Sequence, residues 1–343
     1  MRIAIWSDIH LGQRMYRTDE NNVNKYELAG YKALKKYVKA ISDSNPDLVI
    51  NAGDVFDKPN PLIPAIHMYK MAQEKLSSFK TMTITGNHDF NFYNKRNKCC
   101  AAAMAKHTYF ADYEIKTVEL DGILFVMMPY IYDTDENIQA YMKQAETIAE
   151  QSKCSKKILV THGVTEKYYR ESFIGDAIML SDYLVSLYDC VIIGHIHTPF
   201  SYKQDNTLVI SPGAMIDYQA YTDRTGPIIL DTDTMTFERI PIKTPHIIKK
   251  ECNESNINDL LRSVDENIYN ISYKGDTEAI DNELFINAKN VAINLVITPI
   301  KEETTEEEDT TSTTILDIYT WVANNRPELN DEFIKAKPQI GGK

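Results

Sequence analysis

Five short stretches of this chain carry donors of the kind that hold divalent cations. They are Asp8-Ile9-His10, Gly53-Asp54, Gly86-Asn87-His88-Asp89, His162 and Gly194-His195-Ile196-His197. Carboxylate and amide oxygens are hard donors, and imidazole nitrogen suits most divalent metals of the first transition row. A two-metal hydrolytic site needs an anion bridging both cations, ligands for the other positions, and room for water and substrate oxygens. Asp54 is the natural bridge, since a carboxylate has two oxygens and Gly53 allows a sharp turn before it. Asp8 and His10 lie two apart, as do His195 and His197, so each pair points to one side of an extended segment. Asn87 offers a neutral carbonyl oxygen. His88 beside it can then reach the substrate as a general acid, while Asp57 and Asp89 can orient imidazoles from behind. Any one of these elements alone is weak, because an Asp at a strand end is more often a helix cap. All five together point to metal-assisted hydrolysis.

What must position these residues is a set of strands. Each cluster follows a short apolar run that reads as a buried strand: residues 3–6, 48–50, 82–84, 158–160 and 191–193. In open α/β sheets ligands bind beyond the carboxyl ends of the strands, so clusters scattered between residues 8 and 197 converge on one rim. Between the first strands, residues 26–41 and 63–76 place apolar side chains at helical spacing. The alternation predicts right-handed βαβ units and a largely parallel sheet. Residues 118–129 read as a hairpin turning at Asp121-Gly122, and 135–151 as a helix. Strands dominate from 188 to 242. A stacked pair of sheets with helices outside fits this order. After Pro241 and Pro245 a strand (246–250), a helix (256–267) and a strand (291–298) suffice for a small α+β unit.

The chain has 343 residues, 43% hydrophobic and 25% charged, as in an ordinary globular protein. No run of about 18 apolar residues is present to span a membrane. The first strand begins almost at Met1, where a signal peptide would lie, so a cytoplasmic location is expected. The five cysteines form no CxxC pair and read as reduced thiols, with Cys99-Cys100 as helix packing. The net charge of −12 is unlike the basic footprint of a stand-alone nucleic-acid binder. Part of it is local, since residues 301–314 hold six acids and one Lys. Two divalent ions would also reverse the potential at the site. His67, His107 and His246 match no motif and read as surface or locally bonded residues.

The motifs resemble the calcineurin-like metallophosphoesterase superfamily over residues 1 to about 240. Ser7-Asp8-Ile9-His10-Leu11-Gly12, Ala52-Gly53-Asp54-Val55-Phe56-Asp57, Gly86-Asn87-His88-Asp89 and Gly194-His195-Ile196-His197-Thr198-Pro199 are similar to those of SbcD-type nucleases, the catalytic subunits of DNA double-strand-break repair complexes, including exonuclease subunits of large phages. Leu-Gly after Asp-x-His and Phe-Asp after Gly-Asp-Val are the discriminating details. The Asp-Arg-Gly and Gly-Asn-His-Glu of protein phosphatases in the superfamily are absent.

That resemblance implies an α/β fold: a sandwich of two β-sheets flanked by helices, with a small α+β capping domain and a C-terminal helix. The implied domains are a dimetal phosphoesterase at 1–243, a DNA-capping unit at 244–300, an acidic linker at 301–314 and a partner-binding tail at 315–343. One metal would take Asp8, His10, Asp54 and His197, and the other Asp54, Asn87, His162 and His195. His88 would act near the leaving group. Manganese is the implied metal, magnesium an alternative, and the donors alone would also admit iron or zinc. Asp57 stands where some members carry a second active-site histidine, so that histidine's role is not transferred. The implied activity is 3′-to-5′ exonuclease on duplex ends and endonuclease on single strands, in a homodimer with an SbcC-type, SMC-like ABC ATPase.

The linker reads as too polar to pack. Behind it Ile315, Leu316, Ile318, Tyr319 and Val322 form a stripe suited to docking in a partner's groove, with Trp321 as an anchor. Lys95, Arg96 and Lys98, just after Gly-Asn-His-Asp, are candidate phosphate contacts. A small-molecule phosphodiesterase with the same metals is the first alternative, and a scaffolding subunit for the ATPase the second. A phage member would work in the host cytoplasm.

Overall fold

A computed structural model describes residues 1–14, 24–90, 101–169, 177–216, 224–264, 267–288 and 293–298. All belong to one compact unit, Met1–Pro299. The basic trio Lys95, Arg96 and Lys98, the pair Cys99-Cys100, the acidic segment 301–314 and the stripe from Ile315 to Val322 lie outside the described residues.

The first half runs β1 (Arg2–Trp6), α1 (Lys25–Asp43), β2 (Leu48–Asn51), α2 (Ile63–Lys75), β3 (Lys80–Ile84), β4 (Tyr109–Ala111), β5 (Lys116–Leu120), β6 (Ile123–Met128) and α3 (Asp135–Gln151). There follow β7 (Lys156–Thr165), α4 (Glu166–Tyr169), β8 (Ile178–Leu180), α5 (Asp182–Ser186), β9 (Cys190–Gly194), β10 (Phe200–Gln204), β11 (Thr207–Ser211), β12 (Ile228–Asp231) and β13 (Thr236–Arg239). Last come β14 (Ile247–Asn253), α6 (Ile257–Ser263), β15 (Ile268–Lys274), α7 (Asn282–Asn287) and β16 (Ile293–Thr298).

Two sheets form the body, in the orders β13-β12-β1-β2-β3-β4 and β10-β11-β9-β7-β6-β5, with β8 paired to β7. β1 to β4 are mutually parallel, as the strand–helix alternation requires, and β12 and β13 add antiparallel at the edge. Alternation along β1 shows why the layers stack. Ile3 and Ile5 join Ile50, Phe125, Val160 and Ile192 in a core between the sheets. Ala4 and Trp6 point the other way, into a second core with Leu34, Tyr37 and Ile41 of α1 and Tyr69 of α2. α3 and α5 cover the outer face of the second sheet through Ala145, Ala149, Leu184 and Val185. The result is helix, sheet, sheet, helix, with each sheet buried on both faces.

The hairpin sits at Asp121-Gly122, between paired Leu120 and Ile123. Both turn residues have positive φ, 49° and 75°, the geometry that matches strand twist in a two-residue turn. The C-terminal part differs from the expectation in one respect. α6 ends at Ser263, and residues 268–274 are a strand in the middle of a parallel β14-β15-β16 sheet. Tyr269, Ile271 and Tyr273 alternate along it toward a small core with Ile257 and Leu261. That period of two is the strand's own signal, and it outweighs any helical continuation of α6. Among the described residues no helix is long and apolar enough to cross a membrane.

Candidate metal centre

The five clusters sit on one rim. Asp8 and His10 follow β1, Asp54 follows β2, Asn87 and His88 follow β3, and His195 and His197 follow β9. His162 differs from its expected place: β7 continues to Thr165, because Gly163–Thr165 pairs with β8, so His162 lies inside the strand, opposite Gly194. Asp8, His10, Asp54 and His195 all adopt positive φ, between 47° and 90°. Residues other than glycine rarely do so, and such strain gathers at sites where the surroundings over-determine it.

The first two ligand loops are tied into one body. Ile9 and His10 N–H donate to the Asp54 carbonyl (2.9 and 3.1 Å), Leu11 N–H to the Val55 carbonyl (2.9 Å), and Asp57 N–H to the Leu11 carbonyl (3.2 Å). Leu11 and Phe56 thus form an isolated parallel bridge, with both side chains buried. Asp89 completes the brace, accepting N–H groups from Val55 (3.1 Å), Phe56 (3.0 Å) and Gly86 (3.1 Å). Its carboxylate therefore holds backbone, whereas the sequence suggested an oriented imidazole. Acceptance of scattered backbone donors leaves no pattern in a sequence. Burial first, then the charge of Asp54, pushes Asp89 up to about 7, against the pull of the three donors. Asp57 also acts through its backbone, since its carbonyl accepts from His88 Nδ1 at 2.8 Å, while its carboxylate stands 3.9 Å from His10 Nδ1.

The donors converge closely. Asp54 Oδ2 lies 3.5 Å from His10 Nε2 and 3.4 Å from His162 Nε2, and Asp54 Oδ1 accepts the His88 N–H at 2.9 Å. Asn87 Oδ1 is 3.0 Å from His162 Nε2 and 2.9 Å from His195 Nδ1. His10 and His197 face each other through their Nε2 atoms at 3.0 Å. Asp8 accepts the Ser7 hydroxyl and the His195 N–H. The donor atoms of Asp8, His10 and His197 lie within 4.8 Å of one another, as do those of Asp8, Asp54 and His162, and of His10, Asp57 and His88. The last group puts His88 as near to the donors as the ligands are to each other. Glycines make this density possible. A Cβ at Gly53 (φ 101°) would stand 2.5 Å from His162 Nδ1, and one at Gly86 would strike the Asp54 carboxylate and backbone.

Tautomers follow from fixed acceptors. The Ala52 carbonyl, 2.8 Å from His162 Nδ1, can only accept, so that nitrogen carries a proton and Nε2 faces the site, where a cation would take the place of the second proton that Asp54 favours. The Asp57 carbonyl fixes His88 Nδ1–H in the same way. Burial lowers the His162 imidazolium, but Asp54 more than offsets it and lifts the group to about 9. His195 is depressed to about 3, first by burial and then by His162. His10 is pushed well down by burial, and its Nδ1 is buried without a hydrogen bond. Carboxylate oxygens, imidazole nitrogens and a facing pair of histidines are donors that divalent cations take, and bound cations would displace the protons this cluster otherwise holds. The residues present therefore suit a dinuclear divalent site.

His107 is locally bonded, as its sequence context suggested, through Nε2 and the Ala102 carbonyl at 2.8 Å. Residues that sequence reasoning missed are the backbone holders, Ala52 for His162 and the Ala214 N–H that caps the His197 carbonyl at 2.9 Å. Only the glycines nearby hinted at them.

Residues 1–199 match the calcineurin-like phosphoesterase family. Among solved structures, the chain is similar to a Thermus thermophilus protein at 13% identity, over 70% of this chain and 98% of that one, with a TM-score of 0.46. It is also similar to a dimetal phosphatase from Danio rerio (12% identity, 66% and 91% covered, TM-score 0.43) and to an archaeal phosphodiesterase (18%, 71% and 100%, TM-score 0.37).

Proposed function

Because the chain belongs to the calcineurin-like phosphoesterase family, and is thereby a metal-dependent hydrolase of phosphoester bonds, we propose that its substrate is DNA. In this reading it is an SbcD-type nuclease: a 3′-to-5′ exonuclease on duplex ends and an endonuclease on single strands. It is the catalytic subunit beside an SbcC-type ABC ATPase, with manganese as the working metal. The observation that carries the reading is the Leu11–Phe56 bridge. Leu11 and Phe56, two of the four residues that set the SbcD-like motifs apart, pair where the first ligand loop is tied to the second, with both side chains buried. The small sheet β14–β16 and its helices, placed after the phosphoesterase body, match the order and size of a capping unit.

Asp8, His10, Asp54 and His197 would hold one cation, and Asp54, Asn87, His162 and His195 the other. Divalent cations bound there supply Lewis-acid stabilisation of phosphoryl oxygens and lower the pKa of water. Asp54 Oδ2, between His10 and His162, is placed to serve both. His88, with Nδ1–H held by the Asp57 carbonyl, offers Nε2 to the substrate. Protonated, it can hand a proton to the departing 3′ or 5′ oxygen; neutral, it accepts one. The Asp57 contact keeps the ring pointed in either state.

The test is hydrolysis of linear duplex DNA, of circular single strands and of bis(p-nitrophenyl) phosphate, each with Mn, Mg or chelator. Mn-dependent shortening of linear duplex is expected. Cleavage of the small ester with no action on any DNA would instead establish a small-molecule phosphodiesterase. For the partner, removal of 301–343 should spare intrinsic nuclease activity and abolish co-purification with the ATPase. Retained co-purification would move the contact elsewhere.

A further inference from the structure

Outside the metal rim, one cleft among the described residues is lined by four lysines. It lies between α1 and the segment that leads from β13 into β14, and is lined by Lys32, Lys35, Lys36 and Lys243 with Leu28 and Pro245 among its walls. No acidic residue lines it, although the chain has 49 acidic against 37 basic residues. Lys32, Lys35 and Lys36 stand at i, i+3 and i+4, one face of the helix, and the opposite face, through Ala33, Leu34, Tyr37 and Val38, is buried against β1 and β2. The nearest carboxylates on α1 are engaged elsewhere: Glu27 by Arg14 at 2.6 Å and Asp43 by Lys39 at 2.5 Å. Lys36 spends its ammonium on the Lys243 carbonyl (2.8 Å), closing the cleft across its floor. Lys32, Lys35 and Lys243 are exposed, and among the described residues none is paired with a carboxylate.

The cleft also starts where the metal site ends. Tyr26, Glu27 and Gly30, in the first turns of α1, line a small cavity together with Asp8 and His10. Leu28 and Ala29 from the same turns line the basic cleft. At about 1.5 Å per residue, α1 carries the lysines roughly 5–15 Å beyond that point, a few base-pair steps along a duplex.

We propose that this lysine cleft is a phosphate-backbone track, holding the duplex DNA whose end is at the metal centre. The inference rests on the nuclease reading. Its occupant is a duplex because the cleft offers ammonium groups, strongly hydrated point charges suited to phosphate. It has no aromatic wall on which single-stranded bases could stack. Such contacts position the substrate without reading its sequence. They also answer how a chain of net charge −12 grips a polyanion: through local positive charge rather than overall charge.

The experiment uses the full chain in the His88→Ala background, so that the duplex is not consumed, and measures binding of a short labelled duplex against salt. The triple variant Lys32→Gln/Lys35→Gln/Lys243→Gln should bind at least about tenfold more weakly at low salt, with the salt slope reduced by about 3. In the His88-containing enzyme the same substitutions should leave hydrolysis of bis(p-nitrophenyl) phosphate unchanged. A control triple outside the cleft lining, Lys70→Gln/Lys75→Gln of α2 with Lys80→Gln of β3, should alter neither affinity nor slope. An unchanged slope in the cleft variant overturns the inference. An equal loss in the control triple overturns it too, as an effect of net charge alone. Failure of the parent protein to bind duplex at all would instead strike the nuclease reading.

Discussion

The metal rim has two halves built on different plans. The first sheet contributes Asp8, His10, Asp54 and Asn87 from loops beyond β1, β2 and β3, and it contributes all the oxygen donors. The second contributes only imidazoles, His162 from inside β7 and His195 and His197 directly after β9. Carboxylates brought together in a buried place repel and resist burial: Asp8 is raised by desolvation and, in part, by Asp54. The oxygen half therefore needs bracing, and it has it in the Leu11–Phe56 bridge, the cross-loop backbone bonds and the three-donor grip of Asp89. The imidazole half needs less. His162 rides on a ladder and is fixed by one carbonyl. The carboxylate loops are held from behind, whereas His162 is placed by its own strand.

Asp54→Ala should have the largest effect on the rim. Its Oδ2 stands 3.5 Å from His10 and 3.4 Å from His162, imidazoles assigned to different cations, so the variant should lose both ions by elemental analysis and all detectable phosphoesterase activity. Departure of a single ion would show that another ligand bridges the halves.

His88→Ala should lower turnover by about 10²- to 10⁴-fold, the usual contribution of a general acid or base, while keeping both metals. Because His88 stands as close to His10 and Asp57 as ligands do to one another, metal content is the readout that separates its roles. Loss of an ion would place His88 among the ligands and add a second imidazole to the oxygen half.

Phe56→Ala sharpens the contrast against Phe125→Ala, since both rings are fully buried. Each should cost about 3–5 kcal/mol of stability. Only the first removes a wall from the oxygen half, so only the first should weaken metal binding in the folded protein at low temperature. Equal metal affinities in the two variants would mean that the Phe56 ring braces nothing.

Much of this was legible in the residues themselves. Asp-x-His, Gly-Asp, Gly-Asn-His-Asp and His-x-His each end an apolar run, so strand ends and donors announce each other, and the Asp121-Gly122 turn is written in its own two residues. What stayed hidden depends on partners far off in sequence. β7 runs past His162 only because β8 pairs with it. β15 was masked by the apolar tail of α6, although Tyr269, Ile271 and Tyr273 already alternate. The function of Asp89 was invisible for a stronger reason: it binds three backbone N–H groups, which nearly every residue carries.

That makes Asp89→Asn the finest test of the bracing argument. The carboxylate accepts Val55 and Gly86 N–H on one oxygen and Phe56 N–H on the other. An amide keeps size and shape but turns one acceptor into a donor. If its oxygen stays with Val55 and Gly86, the NH₂ group faces the Phe56 N–H, donor against donor, and one buried backbone group loses its partner. The cost of such a group is about 1–3 kcal/mol, less than the loss of an aromatic ring and felt in the same loop. Thermal melting should fall accordingly. Affinity for the cations should weaken several-fold, because Asp54 is next to Val55 and moves with it. The imidazole half has no contact with this carboxylate among the described bonds, so His162 and His195 should keep their positions. If the variant melts lower yet binds metal as tightly as the wild type, Asp89 is a stabiliser of the fold alone and the oxygen half holds its ligands without it.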